Sequence, residues 1–124
     1  MQTILWISLG AMIGANLRYF VAQQAARIAS PGFPYGTLLI NITGSCVLGF
    51  FLTWTTERVL ADPRWRLLVA VGFCGGYTTF SSYAYETFVL LEQGQWLSFI
   101  LNMVGSNLLC LLAVVLGAAL ARSL

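Results

Sequence analysis

Four stretches of mostly apolar residues dominate this chain and constrain its fold more than any other feature. A helix of about 20 such residues crosses the hydrocarbon core of a bilayer, because it rises ~1.5 Å per residue. Only 8% of the residues are charged, against about 25% in soluble domains, which is too few to cover a water-facing surface. The sequence therefore predicts one all-α transmembrane domain, residues 1–124. Its spans are predicted at residues 4–26, 36–56, 67–91 and 96–120.

The charges at the ends of these spans predict the orientation. No Lys or Arg precedes Ile4, so we expect a retained first span rather than a signal peptide, which has a basic n-region. Four spans put both termini and the middle loop on one side. By the positive-inside rule that side is the cytoplasm, since only Arg27 clearly lies opposite, and the protein is expected in the cell inner (plasma) membrane. The arginines on the cytoplasmic side are Arg58, Arg64, Arg66 and Arg122.

The composition argues against several functions. No basic cluster supports nucleic-acid binding, and the absence of His removes the commonest proton shuttle and metal ligand. Ser81 and Ser82 have no candidate base, and no carboxylates are paired at a useful spacing, so we expect no enzyme. The cysteines lie in apolar stretches and are expected to be reduced packing residues; they are Cys46, Cys74 and Cys110.

The third span is interrupted by a polar, glycine-containing segment, residues 74–82. The adjacent Gly75 and Gly76 cost about 2 kcal/mol against alanine within a helix, and Thr79 is a suitable N-cap for a second half-helix. Non-helical backbone at membrane depth must be buried in protein or face a water-filled cavity. Its freed carbonyls can coordinate a small cation and its freed amides an anion. The alternative is a continuous helix with a tight packing face.

Polar residues in the other spans have two interpretations each. Asn41 forms an interhelical hydrogen bond or lines a pore, and the residues alone favour neither. Arg18 is interpreted as an anchor within reach of the interface that also attracts anions. Glu86, two turns after Thr79, serves proton chemistry or accepts hydrogen bonds.

Two further patterns indicate a polar path. Phe80 and Tyr83 share a helix face, and their electropositive ring edges can line a route for an anion, although ordinary aromatic packing fits as well. Asn102, Ser106 and Cys110 recur every four residues, which indicates a polar track or a small-residue packing seam.

Small residues at four-residue spacing predict close helix packing. The pairs are Gly10 with Gly14, and Gly72 with Gly76. Because four helices are few to enclose a polar path, we expect an oligomer.

Three motifs together resemble the Fluc (CrcB) fluoride channels over nearly the whole chain. The third is long and specific, whereas the glycine spacing of the first alone would mean little. They are Gly10-x-x-x-Gly14-Ala15-x-x-Arg18, Pro34-x-Gly36-Thr37-Leu38-x-x-Asn41-x-x-Gly44, and Gly72-Phe73-Cys74-Gly75-Gly76-Tyr77-Thr78-Thr79-Phe80-Ser81-Ser82-Tyr83-x-x-Glu86.

The resemblance implies an antiparallel, dual-topology homodimer in the lipid bilayer with two fluoride pores. It also implies a structural Na⁺ at the dimer centre, held by the backbone carbonyls of Gly75 and Thr78. The implied pore residues are Asn41, Thr79, Phe80, Ser81, Tyr83, Asn102 and Ser106, with Thr37, Arg18, Glu86 and Cys110 in supporting positions. Many members have Phe where this chain has Tyr83, whose added hydroxyl can itself donate to fluoride.

The resemblance therefore predicts a fluoride-selective channel that lowers cytoplasmic fluoride by passive efflux and confers fluoride resistance. Neutral donors suit this task, because buried arginine charges would hold the ion too tightly. One alternative is a proton-coupled small multidrug exporter, which the absence of Asp and Glu from the first span argues against. Another is a non-transporting membrane scaffold.

Overall fold

The computed structural model describes residues 1–57 and 62–124, and every regular element in these ranges is helical. Arg58, which the orientation argument used, lies outside the described residues. The helices are numbered in chain order, and the second ends at Glu57, the last described residue before residue 62. The elements are α1 (Gln2–Ile28), α2 (Tyr35–Glu57), α3 (residues 63–77), α4 (Phe80–Glu92) and α5 (Trp96–Ser123).

Two of these helices contain π-helical turns, in which the backbone bonds to the fifth residue along. In α3 the π-helical part is Arg66–Cys74, between short α-helical ends at Pro63–Trp65 and Gly75–Tyr77. In α5 it is Leu101–Gly105. Such turns widen the helix locally and change the direction of carbonyls and side chains.

Three helices, α1, α2 and α5, are long and apolar enough to cross a membrane. They match the predicted first, second and fourth spans to within three residues at each end, and α5 begins at the predicted residue, Trp96. Between 11% and 17% of their most apolar windows is buried within the chain, so the remaining side chains need lipid or another subunit. The predicted third span is divided into α3 and α4, so the predicted interruption is present.

The predicted glycine contacts bring α1 against α3. A Cβ added at Gly72 would lie 2.6 Å from the Ile7 carbonyl oxygen, and one at Gly76 would lie 2.7 Å from that of Ala11. From the other side, a Cβ at Gly10 would lie 2.7 Å from the Phe73 nitrogen. The backbones of α1 and α3 therefore approach as closely as the spacing predicted.

A second glycine contact joins α2 to α5. A Cβ at Gly49 would lie 2.9 Å from Cα of Val114, and one at Gly117 would lie 2.8 Å from the Phe50 nitrogen. These contacts pair α2 with α5 and α1 with α3. A Cβ at Gly44 of α2 would lie 3.1 Å from Tyr77 Cδ1, so α2 also contacts the end of α3, and the junction between α3 and α4 lies beside α2.

Candidate functional site: the junction between α3 and α4

The helix ends at two threonines rather than at the glycines that signalled the interruption. Gly75 is helical, with φ −64° and ψ −35°, whereas Thr78 has ψ 158° and Thr79 has φ −150° and ψ 113°. The amide and the hydroxyl of Thr78 both donate to the Cys74 carbonyl, at 2.9 and 2.8 Å. These two bonds close the last turn of α3.

Thr79 caps the N-terminus of α4, as its position predicted. Its Oγ1 accepts a hydrogen bond from the Ser82 amide at 3.2 Å, which satisfies one of the free donors of the first turn. The same oxygen donates to Ser82 Oγ at 3.0 Å and lies 3.4 Å from Ser81 Oγ.

Asn41 of α2 holds the extended backbone at this junction. The Thr79 amide donates to Asn41 Oδ1 at 2.8 Å, and Asn41 Nδ2 donates to the Thr79 carbonyl at 3.1 Å. One carboxamide thus satisfies both backbone groups of a residue outside any helix. The second Nδ2 hydrogen of Asn41 has no partner among the described residues. Asn41 therefore forms the interhelical hydrogen bond and still has one N–H to offer.

The same contacts free a carbonyl in α3. In a continuous helix the Thr79 amide would donate to the Gly75 carbonyl, but here Asn41 takes it. Gly75 is exposed, and a Cβ added there would meet nothing within 4 Å in the described chain. A backbone acceptor at the junction is therefore available to a ligand.

A cavity of about 240 Å³ opens at the junction. It brings seven of the predicted site residues together, and none of its lining residues is charged. The lining residues are Asn41, Ser45, Leu48, Thr78, Thr79, Phe80, Tyr83, Ser106, Asn107 and Cys110.

The predicted track on α5 is only partly at this cavity. Ser106 and Cys110 line it, whereas Asn102 is 1% exposed and lies between α5 and α4. Asn102 Nδ2 donates to Thr87 Oγ1 at 2.8 Å, and Ser106 Oγ donates to Asn102 Oδ1 at 3.0 Å. In this structure Asn102 is therefore a buried hydrogen-bonding residue that reaches the cavity through Ser106.

Thr37 and Glu86 meet away from this cavity. Thr37 Oγ1 donates to Glu86 Oε1 at 2.8 Å, while buried Oε2 has no partner among the described residues. Both line a separate cavity of about 490 Å³ beside α1. Arg18 is at neither cavity and forms no ion pair with a described residue.

Three polar residues of the cavity or of the hydrogen-bond network were absent from the predicted site: Ser45, Thr87 and Asn107. Thr87 lies four residues after Tyr83, and its hydroxyl donates to the Tyr83 carbonyl at 2.6 Å. It therefore lies on the helix face that Phe80 and Tyr83 already indicated. Asn107 had a signal of its own, because a carboxamide in an apolar span needs polar partners.

Comparison with known proteins identifies the family of this chain. The family described as CrcB-like protein, Camphor Resistance (CrcB), matches residues 5–118. A relative from Koribacter versatilis, named fluoride-specific ion channel FluC, is 59% identical over 120 residues, covering 97% of this chain and 95% of that protein. A Sulfurihydrogenibium relative of the same name is 43% identical over 124 residues, covering all of both chains. The chain belongs to the CrcB family.

Proposed function

We propose that this protein is a fluoride-selective ion channel of the cell membrane, which lowers cytoplasmic fluoride by passive efflux. Its relatives are named fluoride-specific ion channels, and the resemblance extends over nearly the full length of both proteins. Its apolar helices are those of a multi-pass membrane protein.

The observation that carries the proposal is the uncharged polar cavity at the α3–α4 junction. Fluoride is small and strongly hydrated, so a pore must replace its water with hydrogen-bond donors. Asn41 retains one N–H there, and the rings of Phe80 and Tyr83 supply electropositive edges. Because no charged side chain lines the cavity, the ion is stabilised without being trapped.

The pore requires a second subunit. Phe80 is 76% exposed and Ser81 is exposed, although both follow the break in what we propose is the third of four membrane spans. A polar junction facing lipid is unfavourable, whereas a second copy would cover it. The proposed assembly is an antiparallel, dual-topology homodimer with two pores.

A structural Na⁺ fits the junction of such a dimer. The Gly75 carbonyl has lost its helical partner, and the Thr78 carbonyl belongs to extended backbone, so each subunit offers two oxygens. Oxygen donors suit a hard cation, and the described residues contain no His, Cys, Asp or Glu cluster to hold a metal otherwise. When bound, the ion would offset repulsion between the carbonyl ends and raise the local potential for anions.

The experiment is ion efflux from liposomes that contain the purified protein. With a potassium ionophore setting the voltage, fluoride is expected to leave rapidly and chloride to remain. The Phe80→Ile variant is expected to fold and to lose most of the fluoride flux. Absence of fluoride efflux from correctly folded wild-type protein would contradict the proposed function.

The assembly has its own experiment. In a background without native cysteines, Gly75→Cys changes a position with open space around it. A short bifunctional thiol reagent is expected to give a covalent dimer, because a two-fold axis at the junction brings the two copies together. A conducting protein that remains monomeric after this treatment would contradict the proposed dimer centre.

A further inference from the structure

The Tyr83 hydroxyl is bonded to α5 rather than free in the cavity. It donates to the Met103 carbonyl at 3.2 Å and accepts from Asn107 Nδ2 at 2.9 Å. Asn107 Nδ2 also donates to the Met103 carbonyl. Met103 lies within the π-helical turns of α5, which lets its carbonyl meet side chains from both helices.

Each polar hydrogen on the Tyr83 and Asn107 side chains already has an acceptor. A phenol has one donor hydrogen, and that of Tyr83 is used on Met103. A carboxamide has two, and those of Asn107 are used on Tyr83 and Met103. No polar hydrogen of the cluster remains for an anion, although Tyr83 and Asn107 both line the cavity.

The cluster instead places the Tyr83 ring. Fixed at its hydroxyl, the ring lies 5.5 Å from the Phe80 ring, centroid to centroid, at an interplanar angle of 47°. The two N–H groups of Asn107 donate to the Tyr83 hydroxyl oxygen and to the Met103 carbonyl oxygen. Without these donors, both oxygens would repel a passing anion.

We propose that Asn107 is a positioning residue of the fluoride path, which holds the Tyr83 hydroxyl on the Met103 carbonyl so that the ring edge faces the ion. This inference rests on the proposed channel function. In this proposal the Tyr83 hydroxyl bonds only to α5, and only the Tyr83 ring contacts the ion.

The test is a double-mutant cycle on fluoride efflux with Asn107→Leu and Tyr83→Phe. In the Tyr83 background, Asn107→Leu is expected to lower fluoride flux about fivefold, the effect of losing the hydrogen bond to the Tyr83 hydroxyl. In the Tyr83→Phe background the same change is expected to alter flux less than about twofold, since no hydroxyl remains to be held.

The two backgrounds separate positioning from a structural role. If Asn107 served only the α5 backbone at Met103, its replacement would lower flux equally in both backgrounds and overturn the proposal. Loss of flux on Tyr83→Phe alone, with Asn107→Leu harmless, would also overturn it, because the hydroxyl would then contact the ion. Asn107→Ala is the second variant should leucine prevent folding, with gel filtration reporting the fold.

Failure of this inference is distinguishable from failure of the proposed function. The wild-type protein is measured in the same liposomes. If it releases no fluoride, the channel function fails; if it releases fluoride and the cycle shows no coupling, only the role of Asn107 is contradicted.

Discussion

Two regions of this protein bring backbone close to a neighbouring helix in opposite ways. In the glycine seam, formed by Gly10, Gly14, Gly72 and Gly76, α1 and α3 approach because side-chain atoms are missing. At the α3–α4 junction, extended backbone is stabilised because one particular side chain, Asn41, is present. The seam depends on space, and the junction depends on hydrogen-bonding groups.

The two regions also differ in the hydrogen-bonding groups that they offer to a ligand. The glycines of the seam have no side-chain polar groups, so they offer a ligand no side-chain donor or acceptor. The junction leaves the Gly75 carbonyl and one Asn41 N–H without partners in the described chain. A region held together by hydrogen-bonding groups can keep unused donors and acceptors, and the proposed ion path depends on these.

The largest expected effect on stability is at the seam. Gly10→Ala places a Cβ 2.7 Å from the Phe73 nitrogen, and a backbone atom cannot move aside cheaply. We expect a loss of about 3 kcal/mol or more in the free energy of unfolding, measured by thermal unfolding in detergent. Gly105→Ala is the matched control, because a Cβ there meets nothing within 4 Å and should leave stability unchanged or higher. Equal losses in both variants would contradict the importance of space at the seam.

The largest expected effect on flux is at the junction. Asn41→Leu removes both bonds to Thr79 and leaves a buried amide and carbonyl unpaired. We expect a loss of stability of about 2 kcal/mol and at least a tenfold loss of fluoride efflux. Asn16→Leu makes the same exchange in α1, where Asn16 bonds only the Met12 carbonyl of its own helix, and should keep flux within about twofold. Unchanged flux in Asn41→Leu would remove Asn41 from the path.

A smaller effect is expected at the cap of α4. Thr79→Ala removes the oxygen that accepts from the Ser82 amide and should cost about 1 kcal/mol. Thr79→Ser keeps that oxygen and should restore most of the stability. Thermal unfolding of both variants checks this, and a serine variant as unstable as the alanine variant would show that the methyl group matters instead.

The smallest effect is expected outside both regions. Arg122 Nε lies 2.9 Å from Glu57 Oε1 at the ends of α5 and α2, where both side chains are exposed. Arg122→Gln should change stability by less than about 1 kcal/mol, and added salt should reduce the difference. A larger, salt-independent loss would place a third stabilising region at this end of the molecule.

The sequence predicted the helices and the interruption because both follow from local patterns. Apolar length predicted α1, α2 and α5, and the cap residue Thr79 predicted the start of α4. The glycines predicted that α3 would end, but Gly75 and Gly76 remain helical and Gly76 packs against Ala11. Tertiary packing here overrides helix propensity, which amounts to only about 1 kcal/mol per glycine.

The partners of the polar side chains could not be predicted from spacing. The spacing on α5 predicted that Asn102 lines a polar track, yet it is buried between α5 and α4, where it donates to Thr87. The Tyr83 hydroxyl could be recognised as an extra donor, but its use on Met103 depends on π-helical turns that no local pattern indicated. Hydrogen-bond partners depend on three-dimensional placement of two helices at once.

The π-helical turns of α5 are the part of this helix that can lose a residue most easily. A π-helical turn encloses one residue more than an α-helical turn, so removing one residue from Leu101–Gly105 can convert these turns to α-helix and keep the later residues facing the same way. The same deletion between Cys110 and Gly117, where α5 is α-helical, would rotate every later residue by about 100° around the helix axis. Gly117 would then no longer face Phe50, and the α2–α5 contact would be lost.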